Sequence, residues 1–146
     1  MANLGRQVDN GVHGRVHSPA MERVLGVGGI FFKAKDPVML KAWYRDHLGL
    51  PTDGQGETMF RTQEDPGQLL VWAPFPADTT YFEPSKAPFM INFRVKDLRA
   101  MLVQLRAAGA AVDDKVQEES YGKFGWVMDP EGNRIELWEP PAASSG

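Results

Sequence analysis

Few residues in this chain are of types that do chemistry, and their spacing narrows the options. Cysteine is absent, which removes thiolate nucleophiles, thiolate metal sites and disulfides. The histidines are His13 and His17, four residues apart, and His47. Four-residue spacing puts two imidazoles on one helix face, but Gly14 lies between them and the surrounding composition disfavours a helix. The first two histidines therefore read as part of a leader and not as a metal site. No Gly-x-Gly-x-x-Gly with a following helix, P-loop, His-Glu-x-x-His or Gly-x-Ser-x-Gly occurs. Gly26-Val27-Gly28-Gly29 lies inside a strand-like segment and is not a phosphate loop. What remains are charged residues on strand-like segments. A carboxylate in such a set can serve as a general base, and the cations can stabilise an enolate or hold an anion.

The elements that must position these residues are legible from pattern. Residues 24–35 are rich in β-branched and aromatic side chains and predict a strand. Asp36-Pro37 predicts a helix start, with Asp36 as cap and proline at the first helical position. Met39, Leu40, Trp43 and Leu48 give that helix an apolar face, and Gly49 ends it. Short strands are predicted over 58–62 and 68–73 around the turn Glu64-Asp65-Pro66-Gly67, followed by a Pro-rich connecting loop over 74–88. The order then repeats. Residues 89–96 predict a strand, and Asp97 caps a helix whose Leu98, Met101, Leu102 and Leu105 share one face. Gly109 stops it. A strand is predicted over 111–116, and two more over 124–128 and 134–138 flank the turn Asp129-Pro130-Glu131-Gly132-Asn133.

The repeat is visible in the numbering. Asp36 matches Asp97 at an offset of 61, and Trp72 matches Trp138 at an offset of 66. Two tandem βαβββ modules, over about 24–80 and 87–140, are expected to share one sheet, because neither could bury a sheet face alone. Residues 1–23 predict an N-terminal tail and 141–146 a short polar exit. With 146 residues, one domain or two tightly fused halves is expected. A net charge of -3 argues against a nucleic-acid binder. No apolar run approaches the roughly 20 residues that span a bilayer, and no signal-peptide core is present. A cytoplasmic setting is expected.

The segments GGIFFKAKDP and MINFRVKDL, the helix end WYRDHLGL and the closing DPEGNRIELWEP resemble the vicinal oxygen chelate superfamily of glyoxalases, bleomycin resistance proteins and extradiol dioxygenases. The resemblance covers residues 24–140. It implies an α+β fold whose curved, cup-shaped sheet carries its helices on the convex side. In metal-dependent members, four positions hold a divalent ion. They map here onto Gly29, Leu70, Met90 and Glu136, of which only Glu136 is a ligand for the hard or borderline ions of this fold. His47 lies on the helix end that packs outside the cup. The resemblance therefore implies a member without the family's metal, and no cofactor is expected.

Strand alternation within such a cup sorts the side chains. Gly29, Phe31 and Lys33, then Met90, Asn92 and Arg94, face the cavity. Ile30, Phe32, Ala34, Ile91, Phe93 and Val95 face the helices. Gln68, Leu70 and Trp72 join Arg134, Glu136 and Trp138 on the inner face, and Gly29 leaves room where metal enzymes carry an imidazole. The expected ligand-binding set is Phe31, Lys33, Trp72, Met90, Asn92, Arg94, Tyr121, Arg134, Glu136 and Trp138, with Tyr121 on a mobile lip over 121–125. Three cations against one acid imply an anionic or carbonyl-rich small molecule. The expected function is metal-independent binding of that molecule by a homodimer. The alternatives are a lyase, isomerase or dioxygenase-like enzyme using Glu136 as base or residual metal ligand, and a non-catalytic accessory domain.

Overall fold

Asp36 and Asp97 open the two helices in the same way. Each side-chain oxygen accepts a hydrogen bond from a backbone N–H three residues on, Met39 N and Ala100 N, both at 3.0 Å. This satisfies donors that a helix start leaves unpaired. In the computed structural model, which describes residues 21–52, 58–61 and 69–142, helix α1 spans Pro37–Leu48 and α2 spans Leu98–Ala107. Gly49 closes α1 in the left-handed conformation, φ 69°. His13, His17, the turn 64–67, Gln68 and residues 143–146 lie outside the described residues.

The strands are β1 (Val24–Ala34), β2 (Thr58–Arg61), β3 (Leu69–Pro76), β4 (Phe89–Val95), β5 (Ala111–Val112), β6 (Gln117–Glu119), β7 (Gly122–Met128) and β8 (Arg134–Glu139). They form one eight-stranded sheet in the order β2-β3-β1-β4-β8-β7-β5, with β6 paired to β7. The strand predicted over 111–116 is only two residues long. The glycine-bearing lip predicted over 121–125 is instead the start of β7, tied to β6 in an antiparallel hairpin.

The two halves are related by an internal twofold. The first strand of each half pairs in parallel with the last, β1 with β3 and β4 with β8. The halves join where β1 and β4 run antiparallel, with Ile30 opposite Ile91. Those two residues are separated by the same 61 positions as the capping aspartates. Register also corrects the match between the closing strands. Phe31 stands five residues before Asp36 and pairs with Ala73, while Asn92 stands five before Asp97 and pairs with Glu136. The counterpart of Glu136 is thus Ala73 and not Leu70. An odd slip of three residues exchanges the two faces of a strand.

The two faces have separate cores. Val95, Leu98, Met101, Leu102, Val127 and Leu137 are buried between α2 and the convex face. Phe31, Val71, Ala73, Phe82, Met90, Trp126 and Trp138 form a second buried cluster on the concave face. No helix of the described residues is long and apolar enough to cross a membrane.

Candidate functional site

The concave cluster does not fill the cup. A cavity of about 550 Å³ remains, walled mainly by the rings of Phe31, Phe75, Tyr81, Tyr121, Phe124 and Trp138, with Met59 and Val71 completing the apolar lining. The walls are ordered by ring packing. Phe75 stacks on Tyr81 at 5.5 Å and 12°, and Phe124 on Trp138 at 6.1 Å and 3°. On the Tyr121 side, Trp138 Nε1 donates to the Tyr121 carbonyl at 2.9 Å, fixing the hairpin end to β8. Gly122 is required there: its φ is 134°, and a Cβ would stand 2.3 Å from Trp138 Nε1.

Asn92, Gln117 and Glu136 are the polar lining residues besides Tyr81. Glu136 is 1% exposed, so its carboxylate needs partners. Asn92 Nδ2 donates to Oε1 at 2.7 Å, Trp126 Nε1 donates to Oε2 at 3.0 Å, and the Tyr81 hydroxyl makes a short hydrogen bond to Oε2. Alternation explains two of the three donors. Asn92 is the register partner of Glu136 on β4, and Trp126 its partner on β7. Tyr81 comes from the turn after β3. Burial, then the Glu136 charge and the hydrogen bond to it, push the Tyr81 phenol well above its ordinary range.

The structure brings together Phe31, Met90, Asn92, Tyr121, Glu136 and Trp138 of the expected set; all but Met90 line the cavity, and Met90 is buried in the cluster beneath it. Four others lie elsewhere. Trp72 is on the helix face, its ring 4.6 Å from Tyr44 of α1 and 5.3 Å from Phe32. Leu70 shares that parity, so Val71, Ala73 and Phe75 take the inner positions. Lys33 sits with its Nζ 5.9 Å from the centre of the buried Phe82 ring. Arg134 is committed to structure: Nη1 donates to the carbonyls of Tyr81 at 3.0 Å and Glu83 at 2.5 Å, and Nη2 lies 3.5 Å from Asp113. Arg94 lies along the glycine run of β1, where a Cβ on Gly26 would stand 2.6 Å from its Nη2. None of these three cations lines the cavity. The space expected above Gly29 is also taken, since a Cβ there would meet Phe31 Cε1 at 2.8 Å.

Sequence reasoning missed Tyr81, Trp126, Phe75 and Phe124. Trp126 and Phe124 were within reach of it, because they alternate on β7 opposite Glu136 and Trp138. Phe75 was lost with the three-residue slip on β3. Tyr81 carries no local signal beyond its aromatic character in a Pro-rich stretch.

The divalent ion implied by the family resemblance does not fit these residues. Gly29 and Ala73 offer no donor atom, and Met90 offers only a soft thioether. The Glu136 carboxylate already accepts from three hydrogen-bond donors, Asn92, Trp126 and Tyr81. Among the described residues no three of His, Cys, Asp or Glu gather into a metal-holding group.

Residues 29–138 match the family described as glyoxalase-like domain. Solved structures with the same fold include methylmalonyl-CoA epimerase from Mycobacterium tuberculosis, at 24% identity and TM-score 0.57, covering 86% of this chain and 94% of that one. A variant of Streptomyces coelicolor methylmalonyl-CoA epimerase, in complex with 2-nitronate-propionyl-CoA, matches at 20% identity and TM-score 0.61, covering 82% of this chain and 100% of that one. A glyoxalase/bleomycin resistance protein/dioxygenase superfamily member from Vibrio splendidus matches at 14% identity and TM-score 0.52, covering 82% and 99%. No curated protein matches the chain in sequence.

Proposed function

This chain belongs to the glyoxalase-like domain family, and from that premise we propose that it binds one small organic molecule in its cup, without the family's metal and without turnover. The observation that carries this reading is the aromatic-walled cavity of about 550 Å³ over a single buried carboxylate. The size suits a small ligand, and burying aromatic surface supplies the affinity while a few polar atoms set orientation. The anionic class expected from the sequence is not carried forward, because Lys33, Arg94 and Arg134 are off the lining. Glu136 acts as an anchor of the floor, its carboxylate held by Asn92, Trp126 and Tyr81 together.

The test is a thermal-shift screen of small aromatic and carbonyl compounds on chelator-treated protein. A ligand at about 100 times its Kd adds roughly 2.7 kcal/mol to stability, so a clear rise in Tm is expected with chelator present. Met59 is 44% exposed and lines the cavity, so Met59→Trp narrows the space without disturbing a packed core. It should cut the shift. Binding that appears only when a divalent cation is restored, or consumption of the bound compound, overturns the proposal.

A further inference from the structure

The polar groups beneath the cavity are spent on one another. Glu136 accepts from Asn92, Trp126 and Tyr81 and takes part in a further interaction besides, so its carboxylate is not open to a ligand. Asn92 gives Nδ2 to Glu136 at 2.7 Å and turns Oδ1 against β1, where a Cβ on Gly28 would stand 2.4 Å from Oδ1 and 2.8 Å from Arg94 Cγ. Gln117 differs. It is the register partner of the wall residue Phe124, and its Nε2 donates to Glu119 Oε1 at 2.9 Å. That bond fixes the amide, because turning it round would set one acceptor against another. It leaves Gln117 Oε1 as an acceptor on the lining, on the β6 side and away from the floor.

Charge is settled within the protein as well. Among the described residues neither Lys nor Arg lines the cavity, so an anion would lose its water there without a cationic partner. A cation fares no better. Arg94 follows Asn92 by two residues on β4, and Arg134 precedes Glu136 by two on β8. Arg134 stands 4.9 Å from the centre of the Trp126 ring, the same ring whose Nε1 holds Glu136. A ligand cation would thus add a further positive charge to an acid that already has two arginines beside it. The walls ask for something else: Phe75 stacked on Tyr81 and Phe124 stacked on Trp138 present flat apolar surface that another ring matches.

From this we infer that the ligand is an uncharged aromatic compound with one hydroxyl or N–H donor, its apolar end over the floor and its donor on Gln117 Oε1. The inference rests on the reading that the cup binds a small molecule, and the experiment separates the two. Isothermal titration of the full chain at neutral pH compares 4-propylphenol with three relatives. Tyramine replaces the terminal methyl by an ammonium, 4-hydroxyphenylacetate carries a carboxylate, and propylbenzene lacks the hydroxyl. The neutral phenol should bind at least tenfold more tightly than either charged compound. It should also bind about fivefold more tightly than propylbenzene, the scale of one hydrogen bond. Gln117→Leu, at a half-buried position, should remove the preference for the hydroxyl and keep the preference against charge. Tyramine or 4-hydroxyphenylacetate binding as well as 4-propylphenol, or a hydroxyl preference that survives Gln117→Leu, overturns this inference and leaves the binding reading standing. No binding by any of the four overturns both.

Discussion

The two halves of the sheet hold opposite chemistry at equivalent places. Gly29, Phe31, Val71 and Ala73 of the first half correspond to Met90, Asn92, Arg134 and Glu136 of the second. The first set is wholly apolar, and the second contributes the buried acid, its amide partner and the arginine that holds the Tyr81 turn. The helices differ too. α2 buries Leu98, Met101 and Leu102, whereas α1 buries no residue and leaves Met39 at 70% and Trp43 at 51% exposure. A repeated backbone thus fixes where side chains stand, but not what they do. One half supplies a greasy wall and the other supplies polarity and most of the helix packing.

The strongest way to break this contrast is to make the first half resemble the second. Ala73 is 2% exposed, and Phe31 is its register partner where Asn92 is that of Glu136. Ala73→Glu should therefore cost about 3–5 kcal/mol in urea unfolding, the scale of an uncompensated buried charge. A loss below about 1 kcal/mol would show that the first half can accommodate an acid. Next comes the helix contrast. Leu102→Ala should cost about 3 kcal/mol through the cavity it opens, while Met39→Ala should stay within about 0.5 kcal/mol. Equal losses would mean that α1 is packed as firmly as α2.

A smaller effect than that of Leu102→Ala concerns Tyr81 and depends on pH. Tyr81→Phe removes one charge-assisted hydrogen bond and should cost about 2 kcal/mol at neutral pH. Burial and the Glu136 charge raise the phenol's pKa in the folded state. Above the unfolded value of about 10, the unfolded chain therefore loses this proton while the folded chain keeps it. Stability from this group is complete below that pH and is lost as pH rises. Wild type should lose more stability than Tyr81→Phe between pH 8 and 11. Parallel curves would remove Tyr81 from the floor of the site.

Much of the architecture was legible because its signals are local. Asp36 and Asp97 cap helices through their own side chains, and β4, with β1 from Gly29 onward, alternates as the sequence implies. Half of the site followed from alternation, which placed Phe31, Asn92, Glu136 and Trp138 correctly. Trp72 failed because two tryptophans were matched by type, when register decides the face, and the register of β3 is set by its pairing with β1. Lys33, Arg94 and Arg134 failed for another reason. Backbone alternation gives a direction, but a long side chain ends wherever its charge is best satisfied. For Arg134 that place is a pair of carbonyls more than fifty residues away in the chain. Tyr81 could not be foreseen, since its position depends on that same arginine.

The grip on Tyr81 has a mechanical side. Its carbonyl is held by Arg134 and its phenolic tip by Glu136, two residues of one strand. Both handles travel with β8, so bending the sheet carries the ring along as a passenger and leaves the acid–phenol spacing unchanged. Breathing of the chamber is thereby directed to its rim, where Met59 and Tyr121 stand half out in the solvent.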